Sequence, residues 1–108
     1  MSLSTHVLDT GAGQPAPGVA VRLEKVVLDL DGNPRGWKLI AEAETDADGR
    51  IAALPADRPG RWRLVFDTAE QSSFFPEVTI TFVIDDPTAH HHVPLLLAPY
   101  GLSSYRGS

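Results

Sequence analysis

Alternation of apolar and polar positions runs through most of the chain. In "GVAVRLEKV", Val19, Val21 and Leu23 share one side while Arg22 and Glu24 take the other. "WKLIAEAET" groups Trp37, Leu39, Ala41 and Ala43 against Lys38, Glu42 and Glu44. "RWRLVF" aligns Trp62, Leu64 and Phe66, and "EVTITFVI" sets Val78, Ile80, Phe82 and Ile84 opposite Thr79 and Thr81. A period of two, rich in β-branched and aromatic residues, predicts half-buried strands. The opening "LSTHVLDT" separates Leu3, Thr5 and Val7 from Ser4, His6 and Leu8, so His6 is a strand residue. Turn-forming stretches punctuate the pattern: Gly11 to Gly18 with two prolines, "DLDGNPRG", "DADGR" and "ADRPGR". Only "DTAEQSS", Asp67 to Ser73, has room for a helix, of two turns at most. The expected fold is all-β: a two-sheet antiparallel β-sandwich of seven or eight strands with at most one short helix. No internal repeat or linker divides it, so residues 1–108 are read as one domain.

Composition narrows the function classes. A chain of 108 residues can bury a single core without staples. The absence of cysteine removes disulfides and thiolate chemistry. A net charge of −5 argues against nucleic acid, which calls for a basic face. "MSLSTHVLDT" has neither a basic start nor an apolar stretch of the kind that directs secretion. No apolar run approaches the roughly 20 residues of a membrane span. A cytoplasmic enzyme or binding domain, with no membrane association, is the expectation.

Four histidines are the first candidates for chemistry: His6, His90, His91 and His92. In a strand, residues i and i+2 share a face, so His90 and His92 sit together. Two histidines are a partial zinc set, but no HExxH, cysteine or other ligand pattern completes it. No metal or other cofactor is expected. The following "VPLLLAP" has three consecutive leucines, as in a strand covered on both faces, yet Pro94 belongs at a sheet edge or a bulge. An apolar edge strand invites association with another copy. Alternation puts His92 on the side of Pro94 and Leu96, where desolvation favours the neutral imidazole able to take up a proton. Arg50 follows the "TDADG" turn and Arg106 lies in the tail, and either alone reads as a solvated surface residue. No Ser-His-Asp order, nucleophile elbow or phosphate loop is present.

Taken together, "LSTHVLDTGAGQPAPGVAVRLE", "TDADGRI", "FFPEVTITF" and "HVPLLLAPYGLSSYRGS" resemble the 5-hydroxyisourate hydrolase family of transthyretin-like proteins, in order and over essentially the whole chain. The resemblance implies a transthyretin-like sandwich whose edge strands pair into dimers. Two dimers then form a homotetramer, with sites at the dimer–dimer interface. It implies hydrolysis of the ring amide of 5-hydroxyisourate, with His6, Arg50, His92 and Ser108 as catalytic residues. His6, Arg50, Tyr105 and Arg106 would contact the substrate. In this reading the histidine pair activates water, Arg50 holds substrate oxygens, and Tyr-Arg-Gly-Ser folds back to line the pocket, leaving no room for an extension. Transthyretin itself, a carrier, lacks that tail and those histidines. A carrier of a small planar ligand is the alternative, and a metal-binding structural domain would rest on the histidine run alone.

Overall fold

The computed structural model describes residues 3–107. Ten strands follow one another: β1 (Leu3–Asp9), β2 (Gln14–Pro15), β3 (Ala20–Leu28), β4 (Pro34–Glu44), β5 (Arg50–Leu54), β6 (Gly60–Asp67), β7 (Glu77–Ile84), β8 (His91–His92), β9 (Leu95–Ala98) and β10 (Gly101–Ser104). β2 and β8 have two residues each, and the other eight strands have four or more, in keeping with the alternation. They form two sheets, one ordered β4-β3-β6-β7 and the other built on β1. Val21, Leu23, Trp62, Leu64, Phe66, Val78 and Ile84 of the first sheet bury against Leu3, Val7, Leu95 and Leu97 of the second. Each such side chain, fully buried, contributes about 1.5–3 kcal/mol.

β1 organises the sheet that carries the histidines. On one side it pairs antiparallel with β5 and β2. On the other it runs parallel to β8 and then β9, so this sheet is mixed. Parallel neighbours require a long crossover, and here nearly the whole chain, including the other sheet, lies between them. β9 is an interior strand, flanked by β1 and β10. This corrects the edge-strand reading of the leucine run: Pro94 interrupts the chain between β8 and β9, where its missing N–H costs no ladder bond. Leu95 and Leu97 face the core, and Leu96 stays half-buried on the outer face.

Two bulges change what alternation alone predicts. The β3–β4 register slips between Leu23/Ala41 and Glu24/Leu39, leaving Ile40 as an extra residue on β4. Ala41 and Ala43 therefore pack on the core, while Trp37 and Leu39 turn to the outer face. There the Trp37 ring lies 4.3 Å from the Arg63 guanidinium, itself 2.6 Å from Glu24. The β1–β5 register also slips, between Leu3 and Thr5, so Ile51 and Leu54 both reach the core three residues apart. Asp67 ends β6, residues 68–73 form turns and a bend, and no helix occurs among the described residues. Gln71 and Ser72 both donate to the Thr68 carbonyl, but Thr68 is tied to the Phe75 carbonyl and Ser72 to that of Pro99. Those anchors redirect the chain after one turn, before a helix can propagate.

Candidate active site

The outer face of β1 presents Ser4 and His6, two residues apart, and the neighbouring strands place one candidate beside each. His6 pairs with Arg50 of β5, and Ser4 pairs with His92 of β8. Register thus brings together residues 6, 50 and 92. Arg50 and His92 line an open cleft of about 390 Å³ with Ser4, Thr5, Ile51, Ala52 and His90, while His6 is not on its walls and stands beside Arg50 through the β1–β5 pairing.

Arg50 is aimed by the turn before it. Asp46 Oδ1 accepts hydrogen bonds from the Asp48 and Arg50 amides, at 2.9 and 3.0 Å. Gly49 closes the turn with φ of +75°, and an added Cβ would lie 2.5 Å from the Val7 carbonyl oxygen. The turn also fixes His6. Its Nε2 lies 2.8 Å from the Asp48 carbonyl oxygen, which can only accept. The neutral His6 ring therefore carries its proton on Nε2, leaving Nδ1 to take up another.

His92 is held from two sides. Its Nδ1 lies 2.7 Å from Ser4 Oγ, and its carbonyl accepts from the Gly107 amide at 2.8 Å. Nε2 is then the ring nitrogen left for the cleft. Burial pushes the His92 imidazole below the usual histidine range, and the charges of His6, His90 and Arg50 push the same way. A neutral imidazole near neutral pH is the form that accepts a proton from water.

The tail continues from β10, where Ser104 Oγ donates to the Pro94 carbonyl, and then runs beside β8. Gly107 sits against the His92 ring so tightly that a Cβ there would lie 2.5 Å from Cδ2. Tyr105 and Arg106 are not on the Arg50–His92 cleft of this chain. They line a second cleft of about 260 Å³ with Phe82, Val83, His91 and Val93. Ser108 lies outside the described residues. His90 and His92 do share a face, both reaching Ser4, but no group of three or more metal-ligating side chains occurs among the described residues.

Sequence reasoning missed Ser4 and the fit of Gly107 against His92. Alternation already places Ser4 on the side of His6, so its position was available, but its bonding depends on the β1–β8 pairing.

A model of the HIUase/transthyretin family matches residues 3–107. The chain belongs to the HIUase/transthyretin family. Within it, a Salmonella typhimurium protein named 5-hydroxyisourate hydrolase is 44% identical over 115 positions, covering 98% of this chain and 80% of the relative. The solved structure of Klebsiella pneumoniae 5-hydroxyisourate hydrolase aligns over 100% of both chains with a TM-score of 0.78 and 40% identity. Sea bream transthyretin, solved with thyroxine, has a TM-score of 0.83 at 27% identity, covering 99% of this chain and 95% of its own. The family's fold is therefore shared about equally with a hydrolase and a hormone-binding protein, and side chains must separate the two functions.

Proposed function

We propose that this chain hydrolyses 5-hydroxyisourate to 2-oxo-4-hydroxy-4-carboxy-5-ureidoimidazoline, a step in urate breakdown. One observation carries the reading: Arg50 and His92 line one cleft, with His6 paired beside Arg50 on the neighbouring strand, as a hydrolytic site needs and a carrier does not. Names of relatives at 40–44% identity support the same substrate.

Water would attack the ring carbonyl while a histidine takes one of its protons. The water oxygen bonds to the carbonyl carbon, the ring C–N bond breaks, and the proton passes to the departing nitrogen. His92, kept neutral by its surroundings, and His6, with Nδ1 available, serve as the proton-handling pair. Arg50 presents a planar fork of donors to the substrate oxygens and to the charge that develops on the carbonyl oxygen. Ser108 would orient water or substrate through its hydroxyl.

The cleft is open on this chain alone, and Tyr105 and Arg106 stand on another. A homotetramer that sets two such faces against each other, with sites at the dimer–dimer interface, would enclose the substrate and add tail residues to its surroundings. Solution mass then equals four times 11.6 kDa.

The test is the ultraviolet decay of 5-hydroxyisourate, made fresh from urate with urate oxidase, with and without the protein. Acceleration over the spontaneous rate, lost in His92→Ala, is the expected result. No acceleration by the folded protein would overturn the reading in favour of a carrier.

A further inference from the structure

His90, Ser4 and His92 form one hydrogen-bonded chain. Ser4 Oγ lies 2.9 Å from His90 Nε2 and 2.7 Å from His92 Nδ1. A hydroxyl has one proton to give, so it donates to one ring and accepts from the other. The two rings differ in surroundings. His92 is half-buried and has the charged or titratable groups His6 of β1, Arg50 of β5 and His90 around it, with Gly107 on its tail side. His90 is exposed, where water can solvate its charge. A proton gained by His92 is thus held against desolvation and neighbouring positive charge, while a solvated acceptor stands one hydroxyl away.

We propose that His90 serves as the proton reservoir of His92, linked to it by Ser4. This deepens the hydrolase reading and rests on it for the identity of the proton donor. In the resting site His92 Nδ1–H donates to Ser4 Oγ, and Ser4 donates to His90 Nε2. As the attacking water loses a proton to His92 Nε2, the Nδ1 proton moves to Ser4 Oγ and the Ser4 proton moves to His90 Nε2. His92 is then neutral, with its proton on Nε2, and the charge rests on His90. When the ring C–N bond breaks, the Nε2 proton goes to the departing nitrogen. The chain runs back, returning Nδ1–H to His92 and neutrality to His90. His90 touches no substrate in this scheme, and Ser4 is a positioning residue that also passes the proton.

Two measurements test it. The first is kinetic. His90→Gln cannot take up a proton, so kcat should fall about tenfold, less than the loss of a primary base, with KM within twofold. Added imidazole should restore part of the loss, and the acid limb of the pH profile should move. Wild-type kcat and pH profile in His90→Gln would overturn the relay, even if Ser4→Ala is slow. The second is nuclear magnetic resonance of the 15N-histidine-labelled chain, which needs no turnover and so stands apart from the hydrolase reading. The His90 and His92 titrations should be coupled in the wild type and become independent in Ser4→Ala. A His92 titration unchanged in both Ser4→Ala and His90→Gln would overturn the relay, whatever the assay with 5-hydroxyisourate shows.

Discussion

Gly107→Ala isolates the contact between the tail and His92. The backbone at Gly107 is not in the left-handed region, so alanine brings no intrinsic strain there. What it brings is one methyl group, 2.5 Å from His92 Cδ2 and 3.1 Å from both Cβ and Cγ. Carbon atoms in ordinary contact stand about 3.5–4.0 Å apart, so ring and tail must separate by about 1 Å. The ring has little freedom to retreat, because Nδ1 is bonded to Ser4 at 2.7 Å and β8 is paired with β1. Either His92 rotates away from Ser4, or the tail lifts and breaks the Gly107–His92 bond of 2.8 Å.

The stability cost is small, because one hydrogen bond near a chain end contributes about 0.5–1.5 kcal/mol. The cost to turnover is larger, since a displacement of about 1 Å at a reacting group can lower the rate about 100-fold. Steady-state hydrolysis of 5-hydroxyisourate, read beside thermal unfolding, separates the two effects. The expected result is a drop in kcat of one to two orders of magnitude with Tm lowered by only a few degrees. Activity within twofold of wild type would refute the idea that the tail fixes His92.

Three further outcomes follow from the same geometry. His92 has its folded pKa below the ordinary value, so the unfolded chain binds the proton more readily; its contribution to stability is present above about pH 6.5 and is lost as pH falls toward the folded value. Activity should fall over the same direction of pH, and denaturant titrations should show less pH dependence of stability on the acid side in His92→Gln than in wild type. Arg50→Lys keeps the charge but not the planar fork, and kcat/KM should fall at least tenfold while circular dichroism stays unchanged; near-wild-type kcat/KM would show that charge alone suffices. Thr45 is buried, accepts from the Val19 amide at 2.9 Å and donates to the Ala16 carbonyl at 2.7 Å. Thr45→Val strands both groups and should destabilise the fold by about 2 kcal/mol in urea unfolding, with kcat unaffected.

Strand identity was legible because burial writes a period of two into the sequence wherever one face meets a core. The pattern held for β1, β3, β6 and β7, whose inward residues are those alternation selects. It failed where a bulge inserts a residue, since one extra position inverts every side chain beyond it. Nothing in "WKLIAEAET" marks Ile40 as the extra residue, and so Trp37 was assigned to the wrong face. Edge or interior position was equally hidden. Pro94 is as compatible with the end of a short strand as with an edge, and only the β10–β9–β1 order decides between them.

The site shows the same division between local and long-range information. Alternation puts His6 outward, and the aspartate–glycine turn before Arg50 is a local device that delivers the arginine to the start of β5. Which ring nitrogen of each histidine is engaged is set by partners far along the chain: the Asp48 carbonyl for His6 and the Ser4 hydroxyl for His92. These contacts decide the tautomer, through pairings of β1 with strands on either side of it. Sea bream transthyretin, solved with thyroxine, aligns with 99% of this chain at a TM-score of 0.83, so the fold alone does not decide the function. On this chain the central strand places a histidine next to an arginine and a serine next to a histidine, on one face and two residues apart. On the hydrolase reading, the few side chains standing on that register make this face one suited to moving a proton.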